Sequence, residues 1–178
     1  MVTPARAQAL ATLEAAKAEL DSLFAQLTEA ELIRPETIGG SGWAAKDLVS
    51  HLAFWEELAV DAIDAWRTGR LPRVANISGA SGTDQANADN QAQTAHQSPA
   101  EIRSRATSSH RALLEALRSV SEVEWHAPAY ESPSAPSVGD MLGGVLGAPN
   151  QPFGHAYAHL GDLRDYVGSL NKPNGQAG

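Results

Sequence analysis

The chain of 178 residues has no cysteine. That excludes disulfides, thiolate zinc sites and a cysteine nucleophile. Any metal must be held by His, Asp or Glu, and any thiol chemistry needs a thiol brought by a substrate. Basic runs are also missing. Lysine and arginine number 13 against 21 acids, a formal net charge of -8. A nucleic-acid binder usually carries a basic patch, so the composition predicts no nucleic-acid partner and points to a small-molecule substrate or a protein partner, without saying which. No stretch approaches the roughly 18 apolar residues of a membrane span. "MVTPARAQALATLEAAKAEL" has charges every few residues and no apolar core of a signal peptide. No membrane partner and a cytoplasmic location are the expectations. P-loop and GxGxxG motifs are absent, and "GASG" is not the G-x-S-x-G of a nucleophile elbow. No internal repeat stands out, and no polar–apolar alternation is long enough to seat a sheet.

What is present is helical periodicity almost throughout. Leu10, Leu13, Ala16, Leu20, Leu23 and Leu27 recur at three and four. Pro35, Gly39, Gly40 and Gly42 break that pattern. A second helix is predicted from about Ala44 to Thr68, with Leu48, Leu52, Trp55, Ala59, Ile63 and Trp66 as its stripe and Gly69 and Pro72 as stop signals. Residues 73–83 read as a long connection, with a polar helical turn or two after them. "SPAE" starts a third helix, with Ser98 as N-cap, Pro99 at the first position and Glu101 closing a capping box. Residues 121–136, rich in Pro and Ser, show no period. "SVGD" at 137–140 opens a short helix, and a last long helix covers about Phe153 to Leu170. Four long amphipathic helices, with long connections between the second and third and the third and fourth, predict an all-α four-helix bundle. The domain is expected over 1–170, with a frayed tail at 171–178.

In "HAYAHLGDLR" His155 and His159 lie four apart. On a helix such residues share a face, so both imidazoles can converge on one ion. Six histidines scattered at random give such a pair in roughly one sequence in six, so spacing alone is weak. With Leu160 at the centre of the inward face, the pair falls on one shoulder with Tyr166 and Leu170. A solvated pair at a helix edge is the other reading. His51 lies between Leu48, Leu52 and Trp55, close to a buried stripe. A buried imidazole must find partners. It is either a satisfied core group or a ligand donated across the core to the fourth helix, making a three-histidine site with open positions.

Asp47, one turn before His51, and Asp162, three residues after His159, are candidates to accept a spare ring N–H. Both also suit ordinary solvated helix faces, and Asp47 suits the helix dipole. Trp55 and Tyr166 are candidate pocket walls. His110, near the third helix's stripe, is a reserve ligand, while His96 and His126 fit structural or surface roles.

"GWAAKDLVSHLAFWEELAVDAI" and "FGHAYAHLGDLRDYV" resemble the second-helix and last-helix segments of the DinB/YfiT-like superfamily. There a Trp precedes a helix bearing a His, and H-x-x-x-H is followed by a short motif ending in Arg. The resemblance implies a DinB-like four-helix bundle with a divalent metal, nickel or zinc, on His51, His155 and His159. The family often has Ser or Thr after the Trp, where Ala44 stands here. Relatives include thiol-dependent transferases and isomerases, hydrolase-like proteins and proteins that protect against reactive small molecules under stress. The expectation is a metal-dependent enzyme that activates a low-molecular-weight thiol or water against a small electrophile. The alternative is a non-catalytic, sequestering bundle protein with a structural metal or none. A homodimer is a further expectation, since bundles with an exposed apolar face often pair.

Overall fold

The computed structural model describes residues 4–39, 42–149 and 151–171. The expected frayed tail lies outside the described residues apart from Asn171. In chain order the elements are α1 (Arg6–Phe24), α2 (Glu29–Leu32), α3 (Ala45–Thr68), a 3-10 turn (Arg73–Asn76), α4 (Gly79–Thr94), α5 (Pro99–Ser119), α6 (Glu122–His126), α7 (Val138–Val145) and α8 (His155–Leu170). Among the described residues there is no strand, only isolated bridges such as Ile38 with Trp43.

The bundle is made by α1, α3, α5 and α8. Helix α3 packs along α5, and α1 packs against α8. Two apolar clusters fill the interior. Leu20, Phe24, Leu48, Leu52, Leu160 and Leu163 belong to one. Leu13, Ile63, Leu113, Leu117 and Trp125 belong to the other. No helix among the described residues is long and apolar enough to cross a membrane.

The start and stop chemistry follows the residues. The Glu101 N–H donates to Ser98 Oγ at 3.3 Å, while Glu101 Oε2 accepts the Ser98 N–H at 2.7 Å, so two orphan donors of α5 are satisfied reciprocally. At the end of α3, Gly69 takes a left-handed φ of 67° and Arg70 N–H reaches back to Ala65 O at 3.0 Å.

Two elements depart from the sequence reading. The connection after α3 carries a 16-residue helix, α4, where a turn or two was expected. Only Asn90 and Thr94 of α4 are buried, so it has no apolar stripe to read. It is attached to α3 by polar contacts instead. Ser50 Oγ donates to Thr94 Oγ1 at 3.0 Å, and Asn90 Nδ2 donates to Ser50 Oγ at 3.3 Å. Arg105 of α5 closes the network, with Nη1 donating to Ser50 Oγ and Asn90 Oδ1 at 3.1 Å each. Its Nε and Nη2 pair with both oxygens of Glu57 at 2.7 and 2.8 Å.

Helix α8 begins two residues later than expected. Phe153 has a φ of 60°, a left-handed conformation unfavourable for a bulky side chain. Its ring is 1% exposed and stacks on Trp125 at 5.9 Å and 20°. Burial of these two rings offsets the backbone strain and fixes where α8 starts.

Candidate metal centre

Trp43 and the start of α3 are fixed first. Thr37 N–H and Ile38 N–H both donate to Trp43 O, at 3.0 and 3.1 Å. The Ala44 N–H donates to Asp47 Oδ2 at 3.0 Å, which anchors the first turn despite an N-cap residue without a polar side chain. Two turns on, His51 sits on the buried face, 4% exposed. At the other wall, His155 N–H donates to Leu146 O at 2.9 Å and sets the first turn of α8. His159 follows one turn later on the same face.

The three imidazoles meet. Ring centroids are 4.8 Å apart for His51 and His155, 5.0 Å for His51 and His159, and 5.1 Å for His155 and His159. One ligand atom from each lies within 4.8 Å of the others, so this group could hold a metal ion. His51 Nε2 and His155 Nε2 are 2.9 Å apart. Two nitrogens bound to one ion at about 2.0–2.1 Å each can span that separation. His51 Nδ1 is buried and has no hydrogen-bond partner among the described residues, while Nε2 faces the trio.

The rings are held neutral. Burial, then the neighbouring His155 and His159, pushes His51 down to about 2, with the Asn87 side chain opposing. Burial and His159 push His155 down to about 3. Burial also lowers His159, against the charge of Asp162. Neutral imidazoles keep the lone pairs that a cation needs.

The trio forms the floor of an open cleft of about 610 Å³. Trp43 and Trp55 flank it, with the Trp43 ring 4.9 Å from His51 and the Trp55 ring 5.9 Å from His155. Val74 and Ile77 come from the 3-10 turn region, Thr83 and Asn87 from α4, and Met141 and Val145 from α7. Trp55 Nε1–H donates to Asn87 Oδ1 at 3.0 Å, which fixes both the indole and the amide.

The other sequence candidates lie as follows. Trp55 lines the cleft. Asp47 has its carboxylate on the Ala44 N–H, not on His51. Asp162 lies close to Gly39, whose missing Cβ would come 2.5 Å from Asp162 Oδ2, and its charge reaches His159. Tyr166 does not line the histidine cleft. Its hydroxyl donates to Glu31 O at 3.0 Å, and it borders a separate surface hollow with Arg34 and Asp165. His110 is not with the trio either, because Nδ1 is 2.7 Å from Glu56 Oε1 across α3 and α5. Asn87 and Thr83 are among the cleft residues that sequence reasoning did not single out, and Trp43 entered it only as the Trp before the His-bearing helix. A Trp reads as core, and the polar face of α4 gives no periodic signal.

A family model described as the DinB superfamily matches residues 12–147. No curated protein matches. Solved structures share the fold. An uncharacterised protein from Escherichia coli UTI89 aligns with a TM-score of 0.75 at 15% identity, over 93% of this chain and 94% of that one. The colibactin self-resistance protein ClbS, solved in complex with a dsDNA, gives 0.68 at 14%, over 96% of each chain. A mycothiol-dependent maleylpyruvate isomerase gives 0.63 at 16%, over 94% of this chain and 69% of that one. Identities this low speak for the fold alone. The ClbS complex also corrects the expectation that no nucleic acid is a partner. A protein of this fold is solved with duplex DNA, and a total charge does not fix where charge sits on a surface. The acidic composition therefore does not exclude that class.

Proposed function

The chain belongs to the DinB superfamily, and on that premise we propose that it is a metal-dependent enzyme in which a thiol attacks a small electrophile. The observation that carries this reading is the convergence of three neutral imidazoles on the floor of an open cleft. Two ring nitrogens stand 2.9 Å apart, with the third imidazole beside them. His51, His155 and His159 would hold the ion, nickel or zinc by donor type, with availability deciding between them. Bound there, a divalent ion supplies Lewis-acid chemistry, making a thiol or water that reaches it more acidic.

The chain's own residues do the rest. Three side-chain ligands leave room for an exogenous group. Trp43 and Trp55 set apolar ring surface against the trio, 4.9 Å from His51 and 5.9 Å from His155. No carboxylate lines the cleft among the described residues, so no Asp or Glu stands ready as general base for a water. That favours a thiol, which needs less help to lose its proton, over hydrolysis. The chain has no cysteine, so the thiol is a low-molecular-weight cosubstrate. The maleylpyruvate isomerase of the same fold depends on mycothiol by name, which supports this choice. A cytoplasmic location belongs to the same proposal.

Tag-free protein loaded with nickel or zinc tests it. Consumption of an electrophile that needs both the metal and an added thiol is expected, with loss in His51→Ala, His155→Ala and His159→Ala. Wild-type protein that takes up neither metal overturns the reading. Metal uptake without thiol consumption across a panel of electrophiles moves the assignment to a sequestering protein. A nucleic-acid partner, suggested by the ClbS complex, is tested separately by titrating a short DNA duplex across a salt series.

A further inference from the structure

Formal charge is absent from the walls of the histidine cleft. Among the described lining residues there is no Lys, Arg, Asp or Glu. Two cations of the helices behind it are engaged elsewhere, Arg105 on Glu57, Ser50 and Asn90, and Lys46 on the carbonyls of Ala95 and Gln97. In the metal-free cleft a ligand carboxylate, phosphate or sulfonate would lose water and find no cation on the walls to replace it. Unpaired burial of a charge is costly.

Apolar and π surface is what the walls offer. Two indoles stand beside His51, with ring centroids at 4.9 Å for Trp43 and 6.4 Å for Trp55. Indole faces take flat rings by stacking. Met141 adds a polarizable, adaptable contact. The polar groups on the α4 side are uncharged. Asn87 Oδ1 is committed to the Trp55 indole at 3.0 Å, which leaves its Nδ2 hydrogens as donors. The Thr83 hydroxyl is turned to Gly79 O at 3.1 Å. A volume of about 610 Å³ suits a compound of drug-like size.

We infer that this cleft takes an uncharged, ring-bearing compound whose flat face lies against Trp43 or Trp55 and whose acceptor atom meets the Asn87 amide. This names the class of the electrophile and rests on the proposed function for calling that compound a substrate. Its recognition by the walls does not depend on the metal.

A matched pair of probes tests it. Para-nitroacetophenone and para-nitrobenzoate share a ring and nearly a shape, but only the second is charged near neutral pH. Binding is read by quenching of tryptophan fluorescence and by calorimetry, on metal-free and on nickel-loaded wild-type protein. The neutral probe is expected to bind metal-free protein about tenfold more tightly or better. Asn87→Asp keeps an acceptor for Trp55 but removes the amide donor, and the neutral probe should weaken several-fold. Thr83→Lys places a cation at the wall, and nitrobenzoate should gain until the preference shrinks or reverses. Equal binding of the two probes, tighter nitrobenzoate on metal-free protein, or no binding of either overturns the inference. Failure of metal uptake with the neutral preference intact would overturn only the metal reading.

Discussion

His51 Nε2 and His155 Nε2 stand 2.9 Å apart, although 103 residues separate them in the chain and each is placed by a different helix. At that distance two neutral rings have one hydrogen to share between them. If one ring donates, the other accepts, and His159 is left to the cleft. If both turn lone pairs inward, a cation completes the group. The folded chain holds this juxtaposition in place through the start of α3 and the start of α8.

Metal binding should therefore stabilise the folded protein and do little for the unfolded one. At a free metal concentration of about 100 times Kd, the gain is about 2.7 kcal/mol. A thermal melt of chelator-treated protein with nickel or zinc titrated back checks this. The rise in Tm is expected in wild type and should vanish in His51→Ala. An equal rise in both would place the ion elsewhere.

The pH dependence of the metal-free protein has a defined sign. In the unfolded chain these imidazoles take up protons near 6.5, while in the folded chain His51 does so only near 2 and His155 near 3. Above 6.5 neither state is protonated there, and these groups give no slope. As pH falls from 6.5 toward 3, the unfolded chain binds protons that the folded chain refuses, so stability falls. The slope is up to about 1.4 kcal/mol per pH unit for each group. Urea midpoints at about pH 7.5 and about pH 5 read it. His51→Gln should show a shallower fall, and an identical fall in the variant would detach it from His51.

Ala44 occupies an N-cap position with no side-chain acceptor, and Asp47 N–H turns only to the Ala44 carbonyl at 3.0 Å. Ala44→Ser adds an oxygen for the first-turn amides. It should raise stability by about 0.5–1 kcal/mol. Asp47→Ala removes the carboxylate from the Ala44 N–H and should cost about as much, with metal affinity retained. Chemical denaturation of both, alongside a metal titration, checks the pair of effects. Loss of metal affinity in Asp47→Ala would give the carboxylate a part in the site after all.

Arg105→Met keeps the aliphatic stem but takes away four donated hydrogen bonds, to Glu57, Ser50 and Asn90. With Asn90 and Ser50 buried, a loss of about 1–3 kcal/mol is expected, read as a lower urea midpoint. A shift under about 0.5 kcal/mol would show that water replaces the guanidinium freely.

The bundle was legible because its four long helices carry apolar stripes. Those stripes put His51 near a buried face but left its partner open, and the resemblance of the two segments to the DinB/YfiT-like superfamily is what joined it to the α8 pair. Asp47 was legible as a carboxylate near His51. Its role was not, because a backbone N–H nearer by competes for the same oxygen. Tyr166 shares a helix shoulder with the histidines, yet its hydroxyl finds Glu31 O, since a shoulder about three turns long meets more than one neighbour. Helix α4 and its contribution of Thr83 and Asn87 were hidden for a different reason. Its contacts are hydrogen bonds between single polar residues, and these leave no period in the sequence.

That manner of attachment sets an order of opening for the molecule. A helix with no buried apolar side chain gains little from hydrophobic burial when it docks and loses little when it leaves. Its amides should lose their deuterium protection through a partial opening well below the free energy of global unfolding, while those of α3 and α5 hold out to the end. On that order of opening, the α4 side of the cleft is expected to part from the core helices first.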